Sequence, residues 1–253
     1  MKKALAIFLA LAAVLSVLSL AAYATRLPQQ TGVQTCTDPS DMLNFVLNDA
    51  PKCPPIRIVE AKLKENGRTK WVYLLGLVGT DNVDGQTNNL DACFKSAFNK
   101  DNDYLQQVKA TLADVVPRGS ALVIAGHSLG GMVAQQLIAD EEIKAAYNII
   151  GTVCGGSPLI VVKNEQEGSL CRMVDRFDII SILSGATFTN PRAQFNDCLR
   201  EDGGWFFKPD EAHNISYRTK SEWQAYDIFG VQGGTATLTF DYADVLIFGG
   251  PEG

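Results

Sequence analysis

The stretch from Ala121 to Ala139 constrains this chain more than any other. Ala121-Leu122-Val123-Ile124-Ala125 is continuously apolar, the composition of a strand covered on both faces, and such strands belong to parallel sheets. Leu129 to Ala139 reads as a helix, and only Gly126-His127-Ser128 separates it from the strand. The chain therefore has to turn from strand into helix almost at once. A turn that sharp brings backbone against backbone, and Gly126 and Gly130 remove the Cβ atoms that would collide there.

Other segments extend the pattern. Ile56 to Lys64 and Trp71 to Leu77 flank Asn66-Gly67, a hairpin signal, so the domain is expected to open with an antiparallel pair. From Asp103 to Val116 the residues Leu105, Val108, Leu112, Val115 and Val116 recur at helical spacing until Pro117 ends the run. Ile149 to Cys154 and Cys171 to Val174 read as further buried strands. In Thr235 to Phe248, the alternation of Leu238, Phe240 and Tyr242 predicts a terminal strand or hairpin. Strand, helix and strand in succession predict right-handed βαβ units. The fold class is α/β, with a mostly parallel central sheet, helices on both faces and an antiparallel hairpin at the start.

The first 24 residues decide the compartment. Lys2 and Lys3, the uncharged run Ala4 to Leu20 and the small-x-small site Ala22-Tyr23-Ala24 have the three parts of a secretory signal peptide, so residues 25–253 are expected to form one secreted domain. Thr25 to about Pro39 reads as a tail. The net charge of −6 becomes more negative without the leader lysines, and no long basic cluster exists, which argues against a nucleic-acid partner and against docking on anionic lipid by charge. Six cysteines in an exported chain predict disulfides, with Cys36 to Cys53 the preferred pair and Cys154 a candidate buried thiol. With two histidines and no CxxC pair, no metal site is expected.

A serine placed between a buried strand and a helix has the setting of a nucleophile elbow, thrust above the sheet, with backbone N–H groups at the helix start aimed where an oxyanion would form. The alternative for Ser128 is a helix cap in a glycine-rich turn. A serine hydroxyl needs a base. His127 adjoins Ser128 in the elbow and is expected to point away from it, which leaves His213, and in α/β-hydrolases the order is serine, acid, histidine. Asp175, Asp178, Asp197 and Asp202 are the candidate acids that follow the Cys171 to Val174 strand.

Several separated motifs resemble the class three lipases of the α/β-hydrolase superfamily, whose fungal members are the best known. Gly126-His127-Ser128-Leu129-Gly130-Gly131 is similar to their nucleophile block, and Gly156-Ser157-Pro158 to their Gly-x-Pro turn. Arg172-Met173-Val174 with Asp178-Ile179-Ile180 and Leu183 resembles the segment that carries their acid, which selects Asp178. His213 followed by Tyr217 resembles their histidine with a following aromatic, and Gly79-Thr80 their oxyanion turn, with Asp91 near the position of a following Asp. The resemblance implies an α/β-hydrolase fold and a Ser128, Asp178, His213 triad, with the N–H groups of Thr80 and Leu129 as the oxyanion hole. It also implies a lipid or small-ester substrate, no cofactor and at most transient contact with a lipid interface. The chain departs from the family at Val78, where arginine is usual, at Ser181, where proline is usual, and in the short span from Thr80 to Ser128, which leaves little material for a lid.

Overall fold

A computed structural model describes residues 31–47, 54–81, 86–160, 167–190, 192 and 198–249. Residues 1–24, expected as a leader, and Cys53 and Asp197 lie outside the described residues. One nine-stranded sheet runs through the described chain, in the order β1, β8, β2, β3, β4, β5, β6, β7, with β9 also on β2. The strands are β1 (Val33–Cys36), β2 (Ile56–Glu65), β3 (Arg68–Leu77), β4 (Ala121–His127), β5 (Asn148–Gly155), β6 (Ser169–Asp175), β7 (Cys198–Glu201), β8 (Thr237–Asp241) and β9 (Leu246–Phe248).

From β3 to β7 the neighbours are parallel, while β1, β2, β8 and β9 make only antiparallel pairs. The sheet is α/β as expected, with a larger antiparallel share than one hairpin. Asn66 (φ 50°) and Gly67 (φ 73°) both take positive φ, the backbone of the tight turn their residue types predict, and register runs from Ile56 opposite Leu77 to Glu65 opposite Arg68.

One expectation is corrected: Val33 to Cys36 is not tail but strand β1, paired with β8 from Val33 opposite Asp241 to Cys36 opposite Leu238. Of the two forms expected for Thr235 to Phe248, the strand is the one found: β8 and β9 do not pair with each other but both lie along β2, β9 beside Ile56–Ile58 and β8 beside Lys62–Lys64. Alternating side chains suit either arrangement, because one buried face is all that alternation records.

Helices cover both faces. On one lie α2 (Leu90–Ala97), α3 (Asp103–Val115), α4 (Leu129–Ala139) and α5 (Glu141–Ala146), whose Tyr104, Val108, Leu112, Val133 and Leu137 pack on Ile58, Leu75, Leu122 and Ile124. On the other, Met42, Leu43 and Phe45 of α1 (Pro39–Leu47) join Trp223 of α8 (Lys220–Trp223) over Val59, Leu74, Val123 and Val153. Two short helices complete the set, α6 (Gly185–Thr189) and α7 (Pro209–Asn214). Asn89 and Asn102 cap α2 and α3, accepting from the backbone N–H groups of Ala92 and Leu105 at 3.1 and 3.0 Å. None of the described helices is long and apolar enough to cross a membrane.

Among the described residues there is no disulfide, and Cys36, Cys93, Cys154 and Cys171 are free thiols. Register explains why two neighbours stay apart. Cys154 is opposite Arg172 and Cys171 is opposite Val153, so the two sulfurs belong to opposite faces and lie in separate cores.

Candidate active site

Every parallel strand from β3 to β6 delivers a turn to the same carboxyl edge of the sheet, where open α/β sheets place their sites. Gly79-Thr80 follows β3, Ser128 follows β4, Gly156 follows β5 and Asp178 follows β6.

Ser128 has φ 53° and ψ −119°, a backbone that a side chain rarely adopts, held in place by Gly155, whose carbonyl accepts its N–H at 2.9 Å. The two glycines of the motif are required by contact. A Cβ on Gly130 would stand 2.1 Å from the Leu77 carbonyl oxygen, and one on Gly126 would stand 2.5 Å from the Gly130 carbonyl oxygen. Leu129 is the first residue of α4, so its N–H has no acceptor within the helix.

Ser128 Oγ lies 3.1 Å from His213 Nε2, and His213 Nδ1 lies 3.0 Å from Asp178 Oδ2. A carboxylate only accepts, so the proton belongs on Nδ1, and the Nε2 lone pair faces the serine hydroxyl. All three residues are buried. Gly156 (φ 62°) leaves the space: a Cβ there would come within 3.0 Å of the His213 ring and 2.9 Å of Tyr217.

Of the aspartates left open by position, Asp178 and not Asp175 bonds His213. Asp175 faces elsewhere, accepting from Phe177 N–H, Gly203 N–H and Ser216 Oγ at 2.8, 3.1 and 2.9 Å. Asp178 uses both oxygens, Oδ1 accepting from Ile180 N–H at 2.8 Å and Oδ2 from His213 and from the Tyr217 hydroxyl at 2.6 Å. It thus also caps the turn that follows. The Tyr217 hydroxyl in its turn accepts from Asp175 N–H at 3.0 Å, and burial, then the neighbouring Asp178, raises its pKa.

His127 makes its hydrogen bond to His213 rather than to Ser128, and its role is more than packing. Nε2 donates to the His213 carbonyl at 2.8 Å, and the two rings lie 4.8 Å apart. Burial first, and then the His213 imidazole, push its pKa down to about 3, so it stays neutral beside the base. Arg172, fully buried, donates to the Ser157 carbonyl at 3.2 Å and braces the turn after β5.

Gly79, the residue before Thr80, lies against the serine: a Cβ on it would stand 3.2 Å from Ser128 Cβ. The Thr80 turn is tied to α2, since the Thr80 side chain hydrogen-bonds Cys93. Asp91, expected near this turn, is instead an exposed residue of α2 paired with Lys95 at 2.6 Å. Its place is taken by Asn88, whose Nδ2 donates to the Gly79 carbonyl at 2.7 Å. Asn88 was not legible in sequence, because an asparagine in a polar turn before a helix has no distinguishing neighbour pattern. Among the described residues, no group of three or more His, Cys, Asp or Glu side chains is placed to hold a metal.

Comparison with protein-family profiles, with curated proteins and with solved structures finds no match for this chain.

Proposed function

We propose that this chain is a serine hydrolase of carboxylic esters on an α/β-hydrolase scaffold, exported after loss of residues 1–24. The observation that carries the reading is the continuous relay from Asp178 through His213 to Ser128, with hydrogen bonds of 3.0 and 3.1 Å, beneath a serine held at φ 53°. Ser128 Oγ attacks the ester carbonyl carbon as its proton passes to His213 Nε2. The carbonyl oxygen takes up negative charge against the N–H groups of Thr80 and Leu129. The C–O bond then breaks, His213 protonates the departing alkoxide, and the acyl group stays on Ser128. Water, deprotonated by His213, releases the acid and restores the serine. The short span between Thr80 and Ser128 suits a short or medium acyl ester or a single phospholipid better than an emulsion.

The test uses the purified protein with a fluorophosphonate probe and a ladder of p-nitrophenyl esters beside a phospholipid. Labelling of Ser128, and ester turnover that falls by several orders of magnitude in Ser128→Ala, are expected. An unlabelled serine, or full turnover in that variant, overturns the reading.

A further inference from the structure

We infer that Asn88 is a positioning residue of the oxyanion hole, setting the backbone of Thr80 for catalysis; this rests on the ester-hydrolase reading above. Asn88 is completely buried and grips the turn twice. Its side-chain Nδ2 donates to the Gly79 carbonyl at 2.7 Å, and its own carbonyl accepts from Asp81 N–H at 2.8 Å.

Those two bonds fix the peptide units on either side of Thr80. A peptide unit is planar, and in the trans form its C=O and N–H point in opposite directions. Holding the Gly79 carbonyl against Asn88 therefore turns the Thr80 N–H away from Asn88. Holding Asp81 N–H fixes the next unit, so both soft backbone torsions of Thr80 are set by one residue. On the strand side, Tyr104 Oη lies 2.8 Å from the Pro55 carbonyl oxygen and 3.2 Å from that of Val78, so its one proton is held between the two carbonyls one residue before the turn.

The chemistry of the side chain explains why it is an asparagine. Only a donor can meet the Gly79 carbonyl, so the amide has one workable orientation, and its Oδ1 is buried with no partner among the described residues. An aspartate of the same size would set a carboxylate oxygen against the carbonyl and push the peptide round.

Oxyanion stabilisation acts only as charge develops, so disturbing it lowers kcat and leaves substrate binding alone. Asn88→Ala and Asn88→Asp are compared with wild type on p-nitrophenyl butyrate, each checked for folding by circular dichroism and gel filtration. We expect kcat to fall about 10- to 1,000-fold, up to the effect of removing an oxyanion donor, with KM changed by less than about threefold. Affinity for an alkylboronic acid, which mimics the tetrahedral state, should weaken in proportion to kcat/KM. The control is Asn89→Ala, which removes the α2 cap and should lower the melting temperature with kcat unchanged.

If Asn88→Ala does not fold, the same-size Asn88→Asp decides alone. Wild-type kcat in folded Asn88→Asp, or equal losses in it and in Asn89→Ala, overturns the positioning role. A wild-type protein that neither labels nor turns over ester overturns the hydrolase reading instead, so the two failures are separate.

Discussion

Asp178 and Asp175 stand three residues apart, and their hydrogen bonds assign them different work. In Asp178→Asn the amide nitrogen would face His213 Nδ1 or force the other tautomer, so kcat should fall by about a thousandfold or more; because Asp178 also accepts from three donors, a stability cost of about 1–3 kcal/mol accompanies it. In Asp175→Asn one amide must serve three donors that now meet a carboxylate, which should cost about 1–3 kcal/mol of stability and leave kcat near wild type. Steady-state kinetics and urea denaturation on both variants check the contrast, and a reversed pattern would move the acid to Asp175. His127 makes a second residue-scale prediction. Its folded pKa, about 3, is below the ordinary value near 6.5, so the unfolded chain takes up the proton first as pH falls. Its contribution is fully present above about pH 6.5 and is lost as pH drops towards 3, at about 1.4 kcal/mol per pH unit. Urea denaturation across that window should show a shallower loss in His127→Gln, which keeps a donor for the His213 carbonyl but does not titrate. Equal slopes would mean that His127 is protonated in the folded state.

At the scale of elements, β4, its turn and α4 form a unit whose tolerance is set by how closely α4 approaches β3. Gly130→Ala would put a methyl 2.1 Å from the Leu77 carbonyl, with backbone on both sides and nothing flexible to yield, so a loss of at least about 3 kcal/mol or failure to fold is expected. Gly67→Ala meets nothing within 4 Å, and only its φ of 73° is strained, so about 1–2 kcal/mol is expected. Thermal melts of the two variants rank them, and a milder Gly130→Ala would show that the helix does not sit where the contact requires. Local pattern was enough to read the Leu129–Ala139 helix and the β2–β3 hairpin, since each is determined by its own periodicity and turn residues. The same pattern left β1, α1 and α2 unread. Four residues of β1 become a strand only because β8 pairs with them, and α1 is short, with its apolar side set by the core it covers.

The described chain is a sheet with a hydrophobic core on each face, and this shields its buried thiols. Cys36, Cys154 and Cys171 are buried, and burial raises the pKa of each, Cys154 to about 12. Iodoacetamide should therefore leave these three unmodified in the native protein and label them at the rate of global unfolding, as read by mass spectrometry of peptides. Rapid native labelling at Cys154 would contradict its place between α4 and the sheet. What the sequence determined by itself was the α/β class, the strand-turn-helix at Ser128 and the elimination that singled out His213 as its partner, because these depend on periodicity, glycine sterics and a count of two histidines. The choice of Asp178 came by resemblance rather than by spacing. Tertiary structure alone separated the hydrogen bonds of Asp178 from those of Asp175, laid β8 and β9 along one edge of β2, set His127 under the carbonyl of His213 and put Asn88, not Asp91, at the Thr80 turn. The reason is physical. Periodicity records which side of an element is buried, whereas a hydrogen bond between residues 35 or 85 positions apart, such as those of His213 with Asp178 and Ser128, depends on where strand order brings their turns together.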